Sequence, residues 1–135
     1  MKCPLVLEFS RPIPMFSEAV LDHFHNPRNS GELSGVSATV EVTNPVCGDV
    51  LRLAVRITDG RVAEVRFKAQ GCVTAIASAS ALTEMMRGGS LEDLRGITAE
   101  QIADALGGLP PASAHGSQLA TDALRALIAR LGDPK

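Results

Sequence analysis

The chain has 135 residues, 45% hydrophobic and 21% charged, with a formal net charge of −2: one globular domain's length, too apolar and too weakly charged for wholesale disorder. No apolar run of about 18 residues reads as a membrane-spanning helix, and neither the net charge nor the absence of Trp and Tyr gives a reason to bind nucleic acid. Three cysteines are too few, and odd in number, for a disulfide scaffold, and their thiols suit a reduced, cytoplasmic compartment.

Residues 1–16 read as an N-terminal extension. The apolar start breaks at Glu8 with no small-residue cleavage site after it, and Arg11-Pro12-Ile13-Pro14 cannot continue a helix. Cys3 is a plain residue of that extension. A single domain is expected over 17–132. Ser17 caps a short helix with Val20, Leu21 and Phe24 on one face, stopped at Asn26-Pro27, with His23 and His25 as solvated residues near its end. Three strands follow by period-2 alternation. Ala38, Val40 and Val42 form the first inward set; Leu51, Leu53, Val55 and Ile57 the second; Ala63, Val65, Phe67 and Ala69 the third. Asp59-Gly60 predicts a tight hairpin between the last two. Residues 73–87 form an Ala- and Ser-rich helix stopped by Gly88-Gly89. Thr98 and Gln101 form a capping box for a helix reaching Leu106. Ser117 caps a final helix whose Leu119, Ala123, Leu124, Leu127, Ile128 and Leu131 make one apolar stripe. There is no internal repeat. The fold class is α+β: a three-stranded antiparallel sheet with helices packed on one face.

Chemistry-bearing residues fall at element ends, where a scaffold presents functional groups. Cys47 and Asp49 lie in the loop between the first two strands, Cys72 between the third strand and the Ala-rich helix, and His115 ahead of the last helix. A sulfur at a helix N-terminus feels the positive end of the dipole, which favours the thiolate, and a histidine there is favoured as the neutral, ligating imidazole. Two thiolates, a carboxylate and an imidazole complete a tetrahedral set for Zn²⁺, or hold the two irons of a 2Fe–2S cluster. Taken singly, each has a plainer reading: a free cysteine as a small hydrophobe, Asp49 as a turn residue, His115 as a surface side chain. The separations of Cys47, Cys72 and His115 match no zinc-finger spacing, so composition and spacing leave those plain readings standing.

Four segments carry a resemblance. Residues Ser17-Glu18-Ala19-Val20-Leu21-Asp22-His23-Phe24-His25-Asn26-Pro27-Arg28-Asn29, Pro45-Val46-Cys47-Gly48-Asp49, Gly71-Cys72-Val73-Thr74-Ala75-Ile76-Ala77-Ser78, and the stretch from Leu109-Pro110-Pro111 through His115-Gly116-Ser117 to Ala123 resemble, in order, the U-type iron–sulfur scaffold family (IscU and NifU N-terminal). The resemblance implies a small sheet with helices on one face. It also implies a protein that is no enzyme but takes sulfide from a cysteine desulfurase and iron from a donor, builds a labile 2Fe–2S cluster and passes it to acceptor apoproteins. It makes Cys47 and Cys72 ligands, Asp49 the carboxylate that keeps the cluster labile, and His115 an alternative ligand; a homo-oligomer is compatible with it. The chain departs from the family where a third cysteine, ligand and sulfur acceptor, is replaced by Gly116. Ser113 stands where the family has a lysine, and Ala112-Ser113 replaces the Val-Lys that continues the Leu-Pro-Pro segment read by a specialised Hsp70-type chaperone. Two other functions fit the residues: a zinc-bound, scaffold-like partner or regulator of a desulfurase in sulfur relay, and, remotely, an enzyme with Cys72 as nucleophile, His115 as base and Asp49 as orienter.

Overall fold

A computed structural model describes residues 17–44, 48–109 and 115–132, with His115 and Gly132 described in their backbone only. Strands β1 (Ala38–Thr43), β2 (Val50–Thr58) and β3 (Arg61–Gln70) form one antiparallel sheet in the order β1-β2-β3. The β2–β3 hairpin closes through Asp59 and Gly60, at φ 56° and 77°, the paired positive angles of a type I′ turn. Val40, Leu51, Leu53, Val55, Val65 and Phe67 point inward and are buried, as alternation predicts. The outward face carries charge in pairs: Arg52 with Glu41 (3.1 Å), Arg66 with Glu64 (2.8 Å) and Lys68 with Glu32 (2.7 Å).

Alternation fails at one place. The register slips between Arg56 and Ile57, so that Arg56 faces Glu64 but Ile57 faces Val62, and Ala63 is the extra residue of a bulge. Val62, 2% exposed, therefore enters the core, and Ala63, expected inside, is exposed. The outer edge of β3 is covered by two short backbone pairings: Asn29–Gly31 bonds Phe67, and Gly88-Gly89 bonds Val62, each at 2.9 Å. Both limit edge-to-edge association at that strand.

Helix α1 (Glu18–His25) begins where Ser17 Oγ accepts the Val20 N–H at 3.1 Å. Its buried face carries Val20 and His23, while Leu21 is exposed. The expectation of a solvated His23 is therefore corrected: in an eight-residue helix pressed against a neighbour, about two turns of pattern are too short to fix which stripe faces inward. Helix α2 (Val73–Met86) is the central element, packed against α1, β3 and a long C-terminal helix, α5 (His115–Gly132). Ala75, Ala77, Ala79, Ala81, Leu82 and Met86 are buried around its circumference together with Ser78, Ser80 and Thr83; small side chains let all these neighbours approach. Two short helices, α3 (Leu91–Arg95) and α4 (Ala99–Ala105), start with full capping boxes, Ser90 with Asp93 and Thr98 with Gln101. The sequence pattern does not mark the first of these, which has only five residues. In α5 the expected stripe is buried from Leu119 to Ile128. The helix begins at His115, so Ser117 is not its cap: it lies within the first turn, buried, with its carbonyl accepting the Thr121 hydroxyl at 2.8 Å. Among the described residues no helix is long and apolar enough to cross a membrane.

Candidate functional site

The register of the sheet builds the site. Val50 faces Gln70, so the next residues outward along the same ladder, Asp49 and Gly71, meet at the sheet end. Gly71 is the reason they can. Its φ of 150° is a conformation L side chains rarely adopt, and a Cβ on it would lie 2.3 Å from Asp49 Oδ1. The missing side chain is the seat of the Asp49 carboxylate, whose residue is only 4% exposed. On the other side of β2, Asn44 donates its N–H to the Asp49 carbonyl at 2.8 Å and accepts the Gly48 N–H at 2.7 Å, which pins both ends of the loop between β1 and β2. Cys47 immediately precedes Gly48 in that loop and lies outside the described residues, as does Cys3.

Cys72 follows Gly71 as the N-cap of α2, in extended conformation (φ −76°, ψ 170°), with its carbonyl accepting the Ile76 N–H at 3.2 Å. The residue is exposed, and its Sγ lies 3.6 Å from Asp49 Oδ2 and 3.2 Å from the Thr74 hydroxyl. No acidic residue occupies the first turn of α2, so the helix offers its N-terminal N–H groups and positive dipole end with no side-chain carboxylate of its own there. Thr74, 2% exposed, is a site residue to which the sequence assigned no role; the hydroxyl two positions after a capping cysteine was the available signal.

The first turn of α5 abuts the same corner: Gly116 is buried against the Thr74 carbonyl. His115 opens that helix, and its side chain lies outside the description. Of the four residues singled out in the sequence, the structure thus brings Asp49 and Cys72 together. Among the described residues no group of three or more His, Cys, Asp or Glu side chains is gathered as a metal set. The pair that is gathered has the dimensions of half a metal site. Ligand lengths of about 2.3 Å for thiolate and 2.0 Å for carboxylate, at a tetrahedral angle, put sulfur and oxygen roughly 3.5 Å apart. The observed 3.6 Å needs no rearrangement to become one edge of such a tetrahedron. Without metal, the thiol can donate to the carboxylate across the same distance.

Residues 15–132 match the family model described as the NifU-like N-terminal domain. The chain is 44% identical over 114 residues to "Iron-sulfur cluster assembly scaffold protein IscU 1" of Archaeoglobus fulgidus, a match covering 84% of this chain and 74% of that protein. It is 45% identical over 118 residues to "Iron-sulfur cluster assembly scaffold protein IscU" of Haemophilus influenzae, covering 84% and 93%. In three dimensions it is similar to the N-terminal NifU-like protein of Brucella abortus, with a TM-score of 0.72 at 19% identity, over 90% of this chain and 96% of that one, a likeness of fold.

Proposed function

The chain belongs to the family of NifU-like N-terminal domains, and from that premise we propose that it is an iron–sulfur cluster scaffold or carrier, not an enzyme. In this reading it holds a labile 2Fe–2S cluster on Cys47, Asp49, Cys72 and His115. Sulfur comes from a cysteine desulfurase, iron from a donor protein, and the finished cluster leaves for acceptor apoproteins. The observation that carries the reading is the 3.6 Å separation of the exposed Cys72's Sγ and the buried Asp49's Oδ2 at the sheet end. It sets one soft and one hard donor at coordination distance beneath the α2 N-terminus. The carboxylate oxygen is the weaker partner for iron in a sulfide-bridged core, so it supplies the position that opens when the cluster is handed on.

The same donors suit a single zinc ion, with both thiolates, the carboxylate and the imidazole as a closed tetrahedral set. Zinc bound there would supply charge neutralisation and hold the loop between β1 and β2 against the start of α2. Anaerobic reconstitution with iron and sulfide separates the two roles. A scaffold or carrier develops the visible absorption of a 2Fe–2S centre at about one cluster per chain or per dimer. A zinc-bound partner of a desulfurase retains zinc, resists exchange and gives no visible bands.

A further inference from the structure

Gly116 lacks any unusual backbone angle, so conformational freedom does not explain a glycine there. Packing does. A Cβ at this position would lie 2.7 Å from the Thr74 carbonyl oxygen, 2.8 Å from its carbon and 3.0 Å from the Ala75 nitrogen. All three are backbone atoms of the first turn of α2, so no side-chain rotation relieves the contact; one helix must move away from the other. The place so occupied borders the site. Thr74 is the residue whose hydroxyl lies 3.2 Å from Cys72 Sγ, and Cys72 Sγ is the atom that faces Asp49.

We infer that Gly116 is a specificity-determining residue: by letting the first turn of α5 lie in backbone contact with the first turn of α2, it closes the site to a side-chain donor from this position. The inference rests on the proposed donor set for its chemical half and on packing alone for its structural half. A cysteine introduced at 116 meets α2 before it meets a metal. It forces the helices apart and disturbs the Thr74–Cys72 contact without adding a sulfur ligand.

The test compares Gly116→Cys and Gly116→Ala with the parent and with Gly96→Ala, where a Cβ would find Asp93 O at an ordinary 3.6 Å. Melting temperatures are read without metal, and Co²⁺ is then titrated in to read the sulfur-to-cobalt charge-transfer absorbance per bound ion. Both Gly116 variants are expected to melt about 5–10 °C below the parent, with Gly96→Ala within about 2 °C of it. The charge-transfer absorbance per ion in Gly116→Cys stays at the parental level. A Gly116→Cys protein that melts with the parent overturns the packing half, whatever it binds. An absorbance about half as large again, from a third thiolate joining two, overturns the exclusion. Where the cysteine variant does not accumulate, Gly116→Ala reads the same contact with one methyl group. A parent that shows no thiolate–cobalt absorbance overturns the donor-set half together with the proposed function, while the metal-free melts still decide the packing.

Discussion

Helix α2 meets polar groups at two regions and treats them in opposite ways. In its second half, Ser80 Oγ accepts the Arg28 N–H and lies 2.8 Å from His23 Nδ1, while Thr83 Oγ1 accepts from Asn29 Nδ2 at 3.1 Å and donates to the Ser80 carbonyl at 2.7 Å. These groups satisfy one another beneath α1 and the Asn26-Pro27 stop, and Asn29 takes a φ of 62° to reach its partner. At its N-terminus, Cys72 is exposed and faces a buried carboxylate at the end of the sheet. Both regions contain residues that ligate metals elsewhere in proteins. The histidine of the first is an anchor because its ring nitrogen is consumed inside the fold; the cysteine of the second keeps a face toward solvent. Residue type alone does not distinguish the two, whereas the fate of the polar atom does.

The widest break of this comparison lies at the cysteine end. Replacing both Cys47 and Cys72 by Ser is expected to weaken zinc binding by about a hundredfold or more, since a neutral hydroxyl substitutes poorly for a thiolate, and to leave the metal-free melt nearly unchanged. Stoichiometric metal retained by that double variant, read by elemental analysis, would put the metal somewhere else. Next in size is Gly71→Ala, whose methyl group would contest the space of Asp49 Oδ1 in a backbone conformation that penalises it. A loss of about 2–3 kcal/mol in denaturant unfolding is expected; a loss below about 0.5 kcal/mol would mean that Gly71 does not seat the carboxylate.

The closed end gives smaller effects. Ser80→Ala strands His23 Nδ1 and the Arg28 N–H together, which should cost about 1–3 kcal/mol and leave metal loading at the parental level. Reduced loading in this variant would show that the two regions are coupled through α2. The smallest effect is a pH dependence. Burial, reinforced by the charge of Arg28, holds the His23 pKa below the usual histidine range, partly opposed by Glu84 and Asp22. The unfolded chain therefore takes up this proton first as pH falls. The contribution of neutral His23 is fully present above about pH 6.5 and is lost as pH drops below it. The parent should melt a few degrees lower at pH 5.5 than at pH 7.5, and His23→Gln should flatten the difference. An unchanged slope in that variant would assign the titration to another group.

Much of the scaffold was legible because its signals are local. Alternation marked the three strands, Asp59-Gly60 marked the hairpin, Thr98 with Gln101 marked α4, and the stripe from Leu119 to Ile128 marked α5. Helix α3 escaped because five residues carry no readable period, although Ser90 and Asp93 announced its cap. Alternation counted from Val65 and Phe67 places Ala63 inside, and the single extra residue of the bulge reverses the assignment on its N-terminal side, so that Val62 enters the core in its place.

At the site, the sequence by itself determined which chemistry is present and that it sits at element ends: Asp49 beside β2, Cys72 capping α2, a glycine at 116. Only the tertiary structure decided that Asp49 lies across from Gly71 with Cys72 beside it, that Thr74 contacts the sulfur, and that Gly116 is packed against α2. The physical reason is one of range. Capping, turn geometry and alternation are set by neighbours a few positions apart and are written in short stretches of sequence. The distance between Asp49 and Cys72 follows from the register of a long-range ladder, and the room at Gly116 from the approach of two helices far apart in the chain; neither is encoded in any single segment.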